Sequence, residues 1–427
     1  MTKISLKINF LDKLKSNLFP FYKSKNIKKI FKILNKYKRS DKDNVAMFVG
    51  GCVRKYLTNE VVDDIDIATS LSPSQIIKIF KLSDIKVVET GIKHGTLTLV
   101  SDSKKFEITT LRKDLKTFGR HADVVFTDDW RADSERRDFT INSIYLDDKG
   151  KIYDPQNGVE DLNLKVIRFI GDPKKRIEED YLRILRFIRF SLQYENVYSK
   201  KSNINAIKLS LSGIKKLSKE RILDELYKIL KLKNFQNINK NEDLKYIFSS
   251  IFPEFKYLDR LNKLSDINMN ILNMDHNENL ILLTILLDDK NNHEYFCHKY
   301  RCNNKTKDTL DLFYKIFIKY KSDKNFLNKN LKENIYIFGK KNIKIFSYFT
   351  YLENKKFTIS KLKELNEDIE STETPKFPYS GKFLIKKGVS KGEKMGLILS
   401  ELEKAWIKNN YQLSEERVQA IIKRSTN

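Results

Sequence analysis

Apolar positions change their rhythm near Tyr153, and the change separates two kinds of structure along the chain. Before it, Ile27 to Tyr37 carries apolar residues at helical spacing (Ile30, Phe31, Ile33, Leu34) and leads into Val45 to Val49, a first strand. Gly51 to Leu57 predicts a helix start, and the next strand carries Asp64 and Asp66. Ser72-Pro73-Ser74 opens a helix through Leu82, because Ser favours the cap and Pro the first helical position. Two alternating runs, Thr96 to Val100 and Phe106 to Thr110, joined by the polar turn Ser101 to Lys105, predict a hairpin in the same sheet. Ile144 to Leu146 is also strand-like. Beyond Tyr153 the spacing is helical to the end, interrupted at Asn234 to Asn241, Asn291 to Asn292 and Glu370 to Gly381. The expected fold class is α+β, a compact head ending near residue 170 followed by an all-helical remainder.

Composition narrows the function classes. A chain of 427 residues predicts two or three domains, and 40% hydrophobic with 32% charged residues describes a soluble globular protein. The chain lacks a run of eighteen apolar residues, and lysines punctuate Met1 to Pro20, so neither a membrane span nor a secretory signal is expected. Three cysteines (Cys52, Cys297, Cys302) cannot build a disulfide framework, which predicts a cytoplasmic protein with reduced thiols. Cys297 and Cys302 lie near His293 and His298, but the spacing fits no usual zinc finger. The formal net charge of +26 calls for a polyanionic partner, RNA or DNA, although Lys-, Asn- and Ile-rich usage alone would also scatter lysines over every surface. Arginine decides. Ten of the seventeen arginines fall between Arg112 and Arg189, and the planar guanidinium fork meets phosphates and base edges as lysine cannot.

Within that stretch and just before it lie the residues that carry chemistry. Gly50-Gly51 permits a tight turn whose backbone N–H groups approach phosphate oxygens. In an extended segment Asp64 and Asp66 point to one side while Ile65 and Ile67 point to the other, so both carboxylates meet at one spot. Such hard oxygen ligands suit Mg²⁺, which binds a few carboxylates together with substrate phosphates. If the strand Phe106-Glu107-Ile108 lies beside them, Glu107 completes a carboxylate cluster. Arg136-Arg137-Asp138 can clamp phosphates and a ribose hydroxyl, or form a surface ion-pair cluster. A single helix from Glu178 to Phe190 would group Leu182, Ile184, Leu185 and Ile188 on one arc and set Arg183 and Arg186 opposite, with Asp180 and Arg189 at the margins. A stripe of that kind is expected to face an anion or a base edge.

Taken in order, Gly50-Gly51-Cys52-Val53-Arg54 with Asp64-Ile65-Asp66, Gly95 to Arg112, Arg136 to Asn142, Asp154-Pro155-Gln156-Asn157-Gly158 with Asp161-Leu162, and Glu179 to Arg186 resemble the motifs of class II tRNA nucleotidyltransferases. These are the CCA-adding enzymes of the polymerase β superfamily, relatives of bacterial poly(A) polymerases. Gly119 to Trp130 resembles their flexible loop. The resemblance implies a nucleotidyltransferase head with a mixed or antiparallel sheet over residues 1–170, a helical nucleotide-selecting neck over 171–260, and a helical tRNA-binding body and tail over 261–427. It implies that Asp64 and Asp66 hold catalytic Mg²⁺, that Gly51 and Arg54 contact the incoming nucleotide, and that Arg137 binds its phosphates or sugar. Asp180 and Arg183 would form a protein template for cytosine and adenine, supported by Arg186 and Arg189. The partners implied are tRNA at its 3′ end, CTP and ATP, with neither a membrane nor a protein partner. One residue departs from the pattern: Lys55 stands where the family often has Asp, so a salt bridge made by that Asp is not expected, while the nucleotide contacts are. The rival readings are a poly(A) polymerase, an enzyme adding part of the CCA end, or a non-catalytic RNA-binding protein. The chain lacks an Arg-rich insertion after the hairpin, which disfavours the poly(A) branch, and the intact carboxylates disfavour the non-catalytic one.

Overall fold

The computed structural model describes residues 20–38, 40, 44–118, 121–195, 200–267 and 278–426. They fall into two compact units, one running to Lys256 and including Lys299–Arg301, the other comprising Tyr257–His298 and the chain from Cys302 onward.

The first unit is built on a seven-stranded mixed sheet. Its strands are β1 (Ala46–Val49), β2 (Asp66–Thr69), β3 (Lys86–Gly91), β4 (Thr96–Ser101), β5 (Lys104–Thr110), β8 (Tyr145–Leu146) and β9 (Ile152–Tyr153), in the spatial order β3-β4-β5-β2-β1-β8-β9. The expected hairpin is β4 and β5, antiparallel with Leu97 opposite Ile108. The pair β2 and β5 is parallel, and it sets Asp66 directly against Glu107.

Alternation of side chains gives the sheet two unlike faces. Phe48 and Ile67, opposite each other on β1 and β2, point to one face, where helix α1 (Lys25–Leu34) brings Phe31 within 4.8 Å of the Phe48 ring. Met47, Val49, Ala68, Leu111 and Tyr145 cluster on the other face with Trp130 packed against them. Asp66 and Glu107 belong to this second face, because Asp66 lies two residues before Ala68 and Glu107 is its cross-strand partner.

Helix α2 (Gly51–Leu57) follows β1, and α3 (Pro73–Phe80) begins with the expected cap. Ser72 accepts from Gln75 N while the Gln75 side chain accepts from Ser72 N, a capping box. A separate two-stranded ribbon pairs β6 (Arg112–Phe118) with β7 (His121–Phe126), and β7 lies within the stretch resembling the flexible loop. Gly119 and Arg120 of that stretch lie outside the described residues. Strand β3, which extends the sheet beyond the hairpin, has no counterpart in the sequence reading.

Helix α4 (Trp130–Glu135) lies between β7 and β8, and after β9 come α5 (Gly158–Asn163), α6 (Pro173–Glu179), α7 (Leu182–Gln193), α8 (Lys201–Ser210), α9 (Lys219–Leu230) and α10 (Glu242–Ile251). The expected single helix from Glu178 to Phe190 is two helices. Asp180 has an extended backbone (φ −153°, ψ 105°) and separates α6 from α7. On α7, Ile184, Leu185, Phe187 and Ile188 are buried, and Phe187 stacks on Phe169 at 5.7 Å, itself 4.8 Å from Phe139. This aromatic set fastens α7 to the Arg136-Arg137-Asp138 segment.

The motif at Asp154 is a joint. Its carboxylate accepts from Gly158 N and Val159 N, both at 2.8 Å, and a Cβ on Gly158 would fall 2.1 Å from the Thr140 carbonyl oxygen. Only glycine permits that approach.

The second unit is helical. Lys263 donates to the carbonyl oxygens of Tyr351 (2.9 Å), Asn354 (2.9 Å) and Phe357 (3.2 Å), placing its charge at the C-terminal end of the helix Lys340–Glu353. Toward the chain end, Leu384, Ile398, Leu402, Val418 and Ile421 bury one another in a small core. No helix among the described residues is long and apolar enough to cross a membrane.

Candidate active site

Gly50 caps α2 with φ 75° and ψ −128°, a conformation that residues with a Cβ avoid. A Cβ added there would sit 3.8 Å from Asp66 Oδ2 and 3.9 Å from Arg137 Nη1, so the turn lies between the carboxylate and the guanidinium. At Gly51 a Cβ would meet nothing within 4 Å, which leaves the start of α2 open to a ligand.

Asp66 begins β2, whereas Asp64 stands exposed in a bend two residues before it, so the strand does not extend back to Asp64 as expected. Glu107 is exposed between buried Phe106 and Ile108, and its position beside Asp66 fulfils the condition set by the sequence. Burial pushes the Asp66 carboxyl up to about 6, the negative charges of Glu107 and Asp64 add to the rise, and Arg137 and Arg54 oppose it. A carboxylate raised by burial and by neighbouring negative charge is one that a nearby cation would favour in its ionised form. Among the described residues no group of three such side chains is already drawn into a cage.

Arg54 is 6% exposed and donates through Nε to Tyr194 Oη at 2.7 Å and through Nη1 to Asn142 Oδ1. Asn142 in turn donates to Asp138 Oδ1 at 2.8 Å, and Arg186 holds Asp138 Oδ2 at 2.6 Å. Burial pushes the Asp138 carboxyl up, but Arg186, Asn142 and Arg183 hold it well below the usual carboxylate range. Arg137 donates to Asp133 Oδ2 at 2.9 Å and lies 5.3 Å over the Tyr145 ring. Lys55 pairs with exposed Asp63, on the outside of the turn.

The arginines of α7 are not a bare stripe. Arg183 bonds Glu179 at 2.6 Å, Arg186 bonds Asp138, and Arg189 bonds Glu225 of α9 at 2.5 Å. Asp180 accepts from Arg221 Nη2 at 2.7 Å and from Leu182 N at 3.2 Å. In this structure the anions that the stripe meets are carboxylates from other elements, because a buried guanidinium requires a partner. Three guanidiniums, of Arg54, Arg186 and Arg189, also surround the Phe190 ring at 4.6, 5.5 and 4.1 Å.

Sequence reasoning missed Asp133, Tyr145, Tyr194, Arg221 and Glu225. Asp133 carried a usable signal, since it precedes Arg136 by three and Arg137 by four, the spacing of side chains that meet on a helix. Glu225 and Arg221 lie too far along the chain for any local pattern to connect them with α7.

A mixed sheet that turns its carboxylates toward a glycine-capped helix is the framework of a nucleotidyltransferase head, and the family model described as the Poly A polymerase head domain matches residues 46–168. The chain is 32% identical to the human CCA tRNA nucleotidyltransferase 1, mitochondrial, over 88% of this chain and 86% of that one. It is 33% identical to the CCA-adding enzyme of Staphylococcus haemolyticus, over 76% and 80%. In fold it is similar to the Bacillus stearothermophilus CCA-adding enzyme in complex with CTP (TM-score 0.68, 22% identity, 94% and 98% covered). It is similar also to the Thermotoga maritima CCA-adding enzyme complexed with tRNA-CCA (TM-score 0.55, 20% identity, 89% and 91% covered). This chain belongs to the CCA-adding tRNA nucleotidyltransferase family, and it is a nucleotidyltransferase.

Proposed function

We propose that the protein adds C, C and A in turn to the 3′ end of tRNA, using CTP and ATP without a nucleic-acid template. The observation that carries this reading is the register of Asp66 against Glu107 on the face that Gly50 and Arg137 border. In the reaction the oxygen of the tRNA 3′-hydroxyl forms a bond to the α-phosphorus, and the α–β phosphoanhydride bond breaks to release pyrophosphate. Asp64 and Asp66 would hold Mg²⁺, which when bound activates the hydroxyl and neutralises the departing pyrophosphate. Glu107 is positioned to complete the carboxylate set. Gly51 leaves room for the triphosphate, Arg137 faces it from across the turn, and Arg54 anchors the wall behind it.

Base choice falls to Asp180 and Arg183. Their present partners, Arg221 and Glu179, keep both side chains oriented, and a base edge would replace those bonds with its own acceptors and donors. Arg186 and Arg189, held by Asp138 and Glu225, support the nucleotide and that surface. The assignment of residues 1–170 as head, 171–260 as neck and 261–427 as tRNA-binding body and tail is part of the proposal. So is a cytoplasmic location, read from cysteine usage; the human relative is named mitochondrial.

The test supplies tRNA lacking CCA with each nucleotide alone and with both, then sequences the product ends. CTP alone should add two C residues and the mixture should add CCA. Runs of A from ATP alone would establish the poly(A) alternative, and arrest after CC or refusal of CTP would establish a partial adder.

A further inference from the structure

We propose that Asp133 is a positioning residue for nucleotide binding, acting through Arg137. The inference rests on the reading of Arg137 as a nucleotide contact.

Asp133 lies on α4, and its side chain is 1% exposed. Oδ2 accepts from Arg137 Nη2 at 2.9 Å, from Arg137 Nε at 3.3 Å and from Tyr145 Oη at 2.8 Å. Oδ1 accepts from Arg136 Nε at 2.8 Å and from the backbone N of Arg112 at 3.3 Å. One carboxylate therefore ties together α4, both arginines of the motif, the hydroxyl of Tyr145 on β8, and the root of the β6–β7 ribbon. Burial pushes its carboxyl up, yet Arg137, Arg136 and Tyr145 outweigh that and hold it ionised.

The geometry at Arg137 gives this hub its consequence. Nη2 and Nε face Asp133, and Tyr145 flanks the guanidinium plane. Nη1, the remaining nitrogen, points to the Asn142 carbonyl oxygen at a long 3.5 Å and approaches the Gly50 turn across from Asp66. Two edges of the fork are thus fixed from behind, and the third is presented to the side where a phosphate or sugar would lie. A guanidinium held this way loses little freedom on binding an anion, whereas an untethered one must be ordered by the ligand itself. Asp133 needs no contact with the nucleotide to raise its affinity.

The experiment is a double-mutant cycle read by CTP binding to the full chain with Mg²⁺ present. Asp133→Asn should weaken CTP on the order of tenfold, and should add no further loss in an Arg137→Ala background, because a residue acting through another has nothing left to act on. Tyr145→Phe, which keeps the Asp133 charge and removes one donor, should weaken CTP by a smaller factor and serves if Asp133→Asn does not fold. A thermal melt accompanies each variant. An unchanged CTP affinity in folded variants, or a full independent loss on top of Arg137→Ala, overturns the inference, the first outcome marking Asp133 as purely structural. A chain that shows the predicted cycle yet does not extend tRNA would overturn the proposed activity and leave this inference standing.

Discussion

Two charged regions of the first unit border Gly50, and they are organised in opposite ways. On the carboxylate side, burial and the negative charges of Glu107 and Asp64 raise Asp66, so the folded chain opposes its ionisation. On the arginine side, each guanidinium of α7 meets a carboxylate brought from another element, and Asp133 and Asp138 are held ionised by the arginines around them. Backbone register sets the first region; side-chain networks set the second. The difference separates a place where the fold opposes ionisation from a scaffold whose charges are already met.

The largest effect should come from breaking the satisfied side. Asp138→Ala leaves Arg186 without its carboxylate and Asn142 without an acceptor, and should cost about 3–5 kcal/mol, read as a fall in Tm. The pH dependence follows the same pairs. Asp133 and Asp138 titrate below their unfolded values, so their stabilisation is fully present above about pH 4 and is lost as the pH falls below it, which acid titration of the melt would record.

Relieving the costly side should act in the opposite direction. At pH 7 Asp66→Asn should raise stability by about 1–3 kcal/mol, because the folded state no longer carries an ionised group that it disfavours. The penalty it removes builds up as the pH rises from about 4 to about 6, so the gain should vanish at pH 4. Mg²⁺ should raise the Tm of the parent chain and leave that of Asp66→Asn unmoved. A lower Tm for Asp66→Asn at pH 7 would erase the contrast between the two regions.

Gly50→Ala should cost about 1–3 kcal/mol through backbone strain alone, since φ 75° with ψ −128° excludes a Cβ comfortably accommodated elsewhere. The smallest effect belongs to Lys55→Ala. Its partner Asp63 is 63% exposed, so loss of the pair should change stability by less than about 1 kcal/mol.

Period and punctuation made much of the first unit legible. The β4–β5 hairpin follows from alternation and α3 from its Ser-Pro start, whereas parity gave only the direction in which Glu107 points and left its pairing with Asp66 as a condition that the parallel β2–β5 pair meets. Strand β3 escaped because all six of its residues are at least partly exposed and present no alternating apolar set. The break at Asp180 escaped because Glu178 to Arg189 keeps helical spacing through it, and periodicity does not register one extended residue. The partners of the arginine stripe escaped for a different reason. Glu225 lies 36 residues beyond Arg189, and Asp138 lies 48 before Arg186, distances at which only the folded chain brings charges together.

The most direct test of the account compares the parent chain with Asp64→Ala and Asp66→Asn in the extension of tRNA lacking CCA, with tRNA binding measured alongside. Loss of nucleotide addition with tRNA binding retained is the predicted result. Extension by either variant at a rate near the parent's would contradict the placement of the chemistry at this carboxylate cluster.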